Sequence, residues 1–229
     1  MNKTGEQTRM AAVRKYRLYL VEDHPVTRQG FAQLINFQPD LHVCGGAGSP
    51  AQALADIPAA KPDLVVVDIS LAGTSGIELI KDLAARHAAL PVMVLSIHDE
   101  TLYAGRALQA GAKGYVMKNA PTSEVMRAVR KVLHGGVYLS DQMQNRLIEM
   151  AAAGGAVAAG SDVERLSDRE LEVFTLIGQG RSTAEIGASL YISGSTVATH
   201  REHIMTKLNL ENSRELMRQA VTWVHSQGI

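Results

Sequence analysis

The stretch PDLVVVDIS, residues 62–70, decides the fold of the first part of the chain. Its apolar run, with three consecutive valines, predicts a strand that is buried on both faces of a parallel sheet. Similar runs lie at residues 17–22, 41–46, 90–96 and 112–118, and segments of helical length separate them. Strands that alternate with helices in this way predict an α/β domain built on a five-stranded, doubly wound parallel sheet.

The buried run ends on a carboxylate, Asp68, which needs a chemical reason to lie there. In doubly wound sheets, ligands bind at the carboxyl ends of the strands. Glu22 and Asp23 end the first strand, so three acids are expected to converge if the first and third strands are neighbours. Three carboxylates in one cleft repel one another unless a cation joins them, and oxygen ligands of this kind suit Mg²⁺. The sequence therefore predicts a magnesium site at this edge of the sheet.

A hydroxyl and an ammonium are expected at the same edge. Ser96 ends the fourth strand and Lys118 ends the fifth. Both side chains are suited to hold phosphoryl oxygens, Ser96 as a hydrogen-bond donor and Lys118 as a point charge. Each residue alone has an ordinary structural interpretation, as a helix cap or a solvated side chain. In this order at successive strand ends, they predict that Asp68 is a nucleophile that accepts a phosphoryl group and forms an acyl phosphate.

These motifs resemble those of a known family. Residues 16–135 resemble the receiver domain of two-component response regulators, a flavodoxin-like fold, in the motifs VEDH, VVVDISLAGTSGIEL, VLSIHDE and AGAKGYVMK. The resemblance implies that a sensor histidine kinase supplies the phosphoryl group of Asp68 from a phosphohistidine. It also implies that Asp23 and Asp68 bind Mg²⁺. Glu22 would act on the metal through water, and Ser70 would add a backbone carbonyl.

The resemblance further implies a conformational switch. In the family a hydroxyl and an aromatic residue move together on phosphorylation, and Ser96 and Tyr115 occupy these positions. One departure is Ala72, where relatives often carry proline after the phosphoacceptor strand. Gly73 and Gly76 still permit a tight turn there, so the expected site is retained.

The second part of the chain has a different pattern. Residues 136–162 are interpreted as a linker with a short helix and a flexible, uncharged run at 151–161. Beyond it, Ser-x-x-Glu capping boxes that begin at Ser167 and Ser182 predict helix starts, and no strand pattern returns. The short turn YISGS and a helix from residue 193 or 194 to 208 complete a helix-turn-helix.

This all-helical segment also resembles a known family. Residues 163–229 resemble the LuxR-type output domain of NarL/FixJ-type regulators, a four-helix DNA-binding unit, in the motifs LSDRELEV, IGQGRSTAEI, YISGSTVATH and KLNLENSREL. The resemblance implies that the third helix enters the major groove of double-stranded DNA. The expected contacts with bases and backbone are Ser195, Thr196, Thr199, His200, Arg201 and Lys207.

The charge of this domain predicts weak DNA binding by a monomer. Relatives commonly carry lysine where this chain has Ala198, and often a basic or polar residue where it has Glu202. Residues 161–229 contain seven Arg and Lys against nine Asp and Glu. Because phosphate contacts supply much of the affinity for DNA, formation of a homodimer is expected to compensate. The last helix offers an apolar stripe for it, although packing against the first output helix explains the stripe equally well. The stripe consists of Leu216, Met217, Ala220 and Trp223.

The sequence thus favours a response regulator in which phosphorylation of Asp68 shifts the receiver between two states and frees or dimerises the output domain. In the family, an unphosphorylated receiver often masks the recognition helix. Two alternatives stay open: a receiver whose output binds protein and acts as an adaptor, and an aspartate-dependent phosphohydrolase. The hydrolase usually needs a second carboxylate two residues after the nucleophile, where this chain has Ser70. Apart from its own phosphorylation and dephosphorylation, no enzymatic activity is expected.

Composition bears on the location of the protein. The chain has 23 basic and 23 acidic residues, so its charge alone indicates neither a nucleic acid nor a membrane partner. No window approaches the roughly 18 apolar residues of a membrane helix, and the N-terminus lacks the apolar core of a signal peptide, which predicts a cytoplasmic protein. Residues 1–15 are interpreted as a disordered extension, and the single cysteine, Cys44, as a buried thiol.

Overall fold

The computed structural model of the chain describes residues 15–71, 74–152 and 162–227. Residues 1–15 are interpreted as an extension, and of these only residue 15 lies in the described part. The flexible run at 151–161, apart from residues 151–152 at the end of a helix, and the turn at Ala72 and Gly73 also lie outside the described part.

A five-stranded sheet forms the centre of the first domain. Its strands are β1 (Tyr16–Val21), β2 (Leu41–Ala47), β3 (Leu64–Val67), β6 (Val92–Ser96) and β7 (Gly114–Met117). Their order is β2-β1-β3-β6-β7 and every pair is parallel, which confirms the predicted doubly wound α/β fold. Two further strands, β4 (Ser70–Leu71) and β5 (Thr74–Ser75), pair with each other as a short antiparallel hairpin directly after β3.

Five helices cover the two faces of this sheet. They are α1 (Pro25–Asn36), α2 (Pro50–Ala60), α3 (Gly76–Arg86), α4 (Glu100–Ala110) and α5 (Thr122–Leu133). Alternate residues of β1 point to opposite faces: Leu18 and Leu20 pack with α1 and α5, whereas Tyr19 and Val21 pack with α2, α3 and α4. Burial on both faces explains why the strands are continuous apolar runs in the sequence.

The path of the chain after β3 depends on one glycine, Gly76. A Cβ atom on Gly76 would lie 2.0 Å from the backbone oxygen of Asp68, so no other residue fits without movement of that strand end. The Gly76 amide donates a hydrogen bond to the Ile69 carbonyl at 2.7 Å. Ser75 caps α3 by accepting a hydrogen bond from the Ile77 amide. The hairpin and the start of α3 are thereby held against Asp68.

Four helices follow the linker helix α6 (Asp141–Ala152) and a 3₁₀ turn (Asp162–Arg165). They are α7 (Asp168–Gly178), α8 (Thr183–Leu190), α9 (Gly194–Lys207) and α10 (Ser213–Gln227). Both predicted capping boxes are present, from Ser167 at α7 and from Ser182 at α8. The helical output domain predicted from the sequence is therefore confirmed, with α8 and α9 as its helix-turn-helix.

The apolar stripe of α10 lies inside this domain. Leu216 and Ala220 are both 0% exposed, and the Trp223 ring lies 5.6 Å from that of Phe174 in α7. Leu216 and Ala220 are therefore core residues of the output domain, while Trp223 is partly buried and packs against the first output helix. Met217, in contrast, is exposed.

The two domains share one hydrophobic core. A continuous cluster of buried residues runs from Tyr103 of α4 to Phe174 of α7. The segment that joins the domains supplies the residues between them: Leu139, Met143, Val163 and Leu166. The output domain is thus docked on the receiver through α7. In the described part of the chain, no helix has the length and apolar character needed to cross a membrane.

Candidate functional site: an acidic pocket and a docked output domain

Asp68 lies at the carboxyl end of β3 with its side chain almost completely buried, at 3% exposure. The register pairs Val21 of β1 with Val67 of β3, so Glu22 and Asp68 leave the sheet side by side. The Lys118 ammonium, which follows β7, donates hydrogen bonds to Asp68 Oδ2 at 2.7 Å and to Glu22 Oε2 at 2.5 Å. The structure therefore brings together three of the side chains that the sequence assigned to one site.

Burial and charge act on these groups in opposite directions. Burial raises the pKa of Asp68, and the ammonium of Lys118 opposes that rise. Burial alone would lower the pKa of Lys118, but the carboxylates of Asp68 and Glu22 outweigh it and raise the pKa. The lysine therefore stays charged, and it holds a fixed positive charge beside Asp68.

Asp23 has a different environment from Asp68. The His24 Nδ1 atom lies 2.8 Å from Asp23 Oδ1 and 3.0 Å from Glu22 Oε1. In spite of that short distance, the buried Asp23 Oδ1 has no hydrogen bond of acceptable geometry among the described residues. A buried carboxylate oxygen without a partner fits a cation ligand, so the residues present are compatible with a bound Mg²⁺. Asp68 does not join the cluster of ligand atoms formed by Glu22, Asp23 and His24.

The predicted switch residues converge on His98, which the sequence analysis did not identify. The His98 amide donates to Ser96 Oγ at 3.3 Å, and the Tyr115 hydroxyl donates to the His98 carbonyl at 2.9 Å. The His98 ring lies 2.5 Å from Ser70 Oγ through Nε2. Ser70 in turn donates its amide to Asp68 Oδ1 at 3.3 Å. Backbone and side chain of His98 therefore join Ser96 and Tyr115 to the loop that follows Asp68.

The His98 imidazole is neutral around pH 7. Burial lowers its pKa to about 4, and the positive charges of Lys118 and Arg169 add to this effect. Arg169 belongs to the output domain, so its influence on His98 means that α7 reaches close to the switch. The ring also stacks on Tyr103 of α4, with 4.8 Å between the ring centroids.

The outer face of α9 is open to solvent in this docked arrangement. Ser195, Thr196 and Thr199 are exposed, while His200 and Arg201 are partly buried. Masking of the recognition helix, where it occurs, thus does not come from burial of these three side chains. The docked surface is formed by α7 and by the turn after α8.

Lys207 is the predicted DNA contact with the strongest competing interaction. Its ammonium donates a hydrogen bond of 2.6 Å to Glu170 Oε2, within the output domain. Glu170 also closes the capping box of α7 by accepting from the Ser167 amide at 2.7 Å. Lys207 must leave this carboxylate to bind a phosphate, which reduces its contribution to DNA affinity.

An ion pair joins α4 to the start of α7. Arg106 Nη1 lies 3.0 Å from Asp168 Oδ1 and donates to the Leu166 carbonyl at 2.8 Å. Lys81 of α3 lies 3.8 Å from the other oxygen of Asp168. Sequence analysis could not find these contacts, because they join residues that belong to separate domains.

Glu172 is a buried acid at the same interface. Its side chain is 0% exposed, and Oε2 accepts a hydrogen bond of 2.6 Å from Arg169, while Oε1 has no hydrogen-bond partner among the described residues. Burial raises its pKa to about 7, against the pull of Arg169. The buried Tyr103 hydroxyl of α4 lies at the same interface, where burial raises its pKa and the charge of Glu172 adds to the rise.

The helix-turn-helix directly contacts the acidic pocket, which is formed by Glu22, Asp23 and Asp68. Tyr191, in the turn after α8, places its hydroxyl 2.9 Å from His24 Nε2, and the two rings are 5.9 Å apart. His24 therefore touches Glu22 and Asp23 through one ring nitrogen and the output domain through the other. The sequence signal for this contact was the histidine that follows the acid pair in VEDH, but its partner could not be identified.

Comparison with known proteins agrees with both domains. Residues 18–130 match the response regulator receiver domain, and residues 164–220 match the bacterial regulatory proteins of the luxR family. The oxygen regulatory protein NreC of Staphylococcus carnosus is 34% identical over 209 residues, which cover 90% of this chain and 96% of that protein. NreC of Staphylococcus haemolyticus is 32% identical over 209 residues, with the same coverage.

Comparison with solved structures also identifies response regulators as similar to this chain. A LuxR-family two-component response regulator from Aurantimonas sp. is 30% identical, with a TM-score of 0.57 over 60% of this chain and 99% of that one. RcsB from Salmonella enterica serovar Typhimurium, bound to the rprA promoter with the phosphomimetic BeF₃⁻, has a TM-score of 0.57 at 23% identity. It covers 90% of this chain and 98% of that one, and at this identity it supports the fold alone.

Fold, pocket and relatives define a two-component response regulator with a DNA-binding output. More particularly, the chain belongs to the family that joins a receiver domain to a luxR-type helix-turn-helix domain. It is a regulator of transcription. The adaptor and phosphohydrolase alternatives are not favoured.

Proposed function

We propose that Asp68 is the phosphoacceptor of this regulator, that a sensor histidine kinase supplies the phosphoryl group, and that phosphorylation controls binding of a homodimer to DNA. The observation that carries the proposal is the bridge from Lys118 to Asp68 and Glu22 at the carboxyl edge of the sheet. In this proposal the receiver spans residues 16–135, the linker 136–162 and the output domain 163–229.

Transfer begins with attack of an Asp68 oxygen on the phosphorus of the phosphohistidine. A phosphorus–oxygen bond forms, the phosphorus–nitrogen bond breaks, and the kinase imidazole leaves with the electron pair and takes up a proton. Lys118 stabilises charge on the transferred group, because its ammonium already lies beside Asp68. Asp23 and Asp68 would hold Mg²⁺, with Glu22 acting through water and the Ser70 carbonyl as a further ligand, and the ion would supply additional neutralisation of phosphoryl charge.

His98 gives the phosphoryl group a route to the domain interface. The Ser96 hydroxyl donates a hydrogen bond to a phosphoryl oxygen. This draws Ser96 Oγ away from the His98 amide, from which it accepts a hydrogen bond in the present structure. Tyr115 holds the carbonyl of the same residue, so the two switch side chains act on one peptide segment. Movement of His98 changes its stacking on Tyr103 and thereby the surface on which α7 docks.

The released output domain places α9 in the major groove. Thr199 and Arg201 reach base edges, and Ser195, Thr196 and His200 reach the backbone. Lys207 contacts phosphate after it leaves Glu170. Of the stripe on α10, Met217 is exposed and Trp223 is partly buried, so these two side chains contact the second copy.

The test is phosphorylation by a small phosphodonor in the presence of Mg²⁺, followed by intact-mass measurement and DNA-binding anisotropy. We expect the parent chain to gain one phosphoryl group and to bind DNA more tightly, and Asp68→Asn to do neither. Asp82→Asn, which changes an exposed acid of α3, is the matched control and should behave as the parent. Lys118→Ala should slow transfer, because it removes the positive charge beside Asp68. A phosphoryl group on Asp68→Asn would contradict the proposal.

A further inference from the structure

His24 is placed as a ligand at the edge of the acidic pocket. Its Nδ1 faces both Glu22 Oε1, at 3.0 Å, and Asp23 Oδ1, at 2.8 Å. The two carboxylate side chains are 7% and 8% exposed, respectively. The Asp23 oxygen has no hydrogen bond in the described part of the chain. Three potential ligand atoms, one nitrogen and two oxygens, therefore lie within 4.8 Å of one another.

The type of ligand atom decides which cation suits such a cluster. Mg²⁺ prefers oxygen ligands, whereas a neutral imidazole suits Zn²⁺ and similar transition ions. A tetrahedral zinc ion with bonds of about 2.0–2.1 Å separates its ligands by roughly 3.3 Å. The distances from Nδ1 to the two carboxylates are a few tenths of an ångström below that value, so a small outward movement would admit the ion.

The second ring nitrogen has the partner that a metal-binding histidine requires. Histidine ligands usually donate the other N–H to an oxygen that fixes the tautomer and the ring orientation. Here Nε2 lies 2.9 Å from the hydroxyl of Tyr191, in the output domain. Tyr191 adopts a left-handed backbone conformation with φ of 53°, which is uncommon for an aromatic residue. The turn thus holds the phenol against His24 at some conformational cost.

We propose that Glu22, Asp23 and His24 form a three-ligand site for Zn²⁺ or a similar transition ion, in which Tyr191 of the docked output domain orients the imidazole. The inference rests on the proposed function, because it uses the same acidic pair, but it adds a nitrogen ligand and a different class of metal. The site is complete only when the domains are docked. By linkage, the transition ion and docking stabilise each other.

The experiment is calorimetric titration of the full-length chain with Zn²⁺ and, separately, with Mg²⁺. We expect one Zn²⁺ per chain. His24→Ala should weaken Zn²⁺ binding about tenfold or more, and Tyr191→Phe should weaken it by a smaller factor, while the Mg²⁺ affinity of both variants stays within about twofold of the parent. Nitrogen NMR of the histidine rings should show that Zn²⁺ shifts Nδ1 of His24. His42→Ala, which removes an exposed imidazole of β2, is the control and should leave the affinity unchanged.

Undiminished Zn²⁺ binding by His24→Ala, or an equal loss in His42→Ala, overturns the inference. Binding of BeF₃⁻ with Mg²⁺ to the same variants separates this result from failure of the phosphoacceptor proposal. If the variants bind BeF₃⁻ normally and only the zinc result is negative, the zinc site is wrong and Asp68 keeps its role. If the parent itself does not bind BeF₃⁻ with Mg²⁺, the proposed function fails, while a His24-dependent Zn²⁺ site would stand.

Discussion

Arg106 and Asp168 form an ion pair between the receiver and the output domain, with 3.0 Å between Nη1 and Oδ1. Both side chains are largely buried, and Arg106 also donates to the Leu166 carbonyl. This arginine therefore holds the start of α7 through a charge and a backbone oxygen together.

Removal of that arginine should weaken docking. In Arg106→Ala, the longer contact with Lys81 is the ion pair that Asp168 keeps among the described residues, and the Leu166 carbonyl loses a donor. Charged hydrogen bonds of this kind contribute about 1.5–3 kcal/mol, so we expect the equilibrium constant for docking to fall by tenfold or more. Small-angle scattering of the unphosphorylated chain should show a larger radius of gyration. Arg86→Ala, in an exposed pair with Asp82, is the control, and equal expansion of both variants would refute the assignment.

Docking should depend on pH through Glu172. Its pKa rises from 4.5 to about 7 in the docked form, so the docked form holds a proton that a solvated carboxyl has lost. Protonated Glu172 stabilises the docked form fully below about pH 4.5, and this stabilisation is lost as pH rises to about 7. Over that range the equilibrium constant for docking falls by no more than tenfold per pH unit. The charges around the group are Arg169, which opposes the shift, and Asp168 and Asp68, which support it.

The variant Glu172→Gln separates this proton from other titrations. It keeps the shape of the side chain and an oxygen that accepts from Arg169, but it cannot ionise. We expect its radius of gyration to stay constant between about pH 5 and 7, whereas the parent expands over that range. The same pH dependence in both proteins would mean that a different group titrates at the interface.

The contact between α7 and α10 should not tolerate a methyl group. A Cβ on Gly178 would lie 2.5 Å from the Ala220 backbone oxygen, so Gly178→Ala should destabilise the output domain by about 1–3 kcal/mol. Gly30→Ala, in the middle of α1, meets nothing within 4 Å and should stabilise the receiver by about 0.5–1 kcal/mol. Thermal unfolding of each variant measures the two effects, and loss of stability in Gly30→Ala alone would contradict them.

An additional basic side chain on the outer face of α9 should strengthen DNA binding. Ala198 is exposed beside Thr199, so Ala198→Lys should raise DNA affinity and steepen the dependence of log K on log salt by about one unit. Thr222→Lys adds the same charge to an exposed position on α10. Anisotropy titrations over a range of salt should show the steeper slope for the α9 variant alone.

Much of the receiver could be predicted from local pattern. Asp68 and Lys118 each follow an apolar run, and such strand ends lie at the same edge of a doubly wound sheet, so their proximity could be predicted. The direct hydrogen bond between them is seen only in the structure. The capping boxes at Ser167 and Ser182 were equally accessible, because they depend on residues three apart.

Contacts between the domains could not be predicted in this way. Tyr191 and His24 are 167 residues apart, and the local sequence around either residue does not indicate a contact with the other. The stripe on α10 was ambiguous for the same reason, since an amphipathic helix has an apolar face whether it packs inside its domain or against a second copy. Only tertiary packing decided that Leu216 and Ala220 belong to the core.

The two domains share a hydrophobic core that includes Tyr103 and Phe174, so the free energy of docking depends on temperature. Separation of the domains exposes apolar surface to water, so it is accompanied by an increase in heat capacity. Hydrophobic attraction weakens on cooling, and the docked form therefore loses part of its advantage in the cold. Temperature thus acts on the docking equilibrium through hydration of the interface, without any change at Asp68.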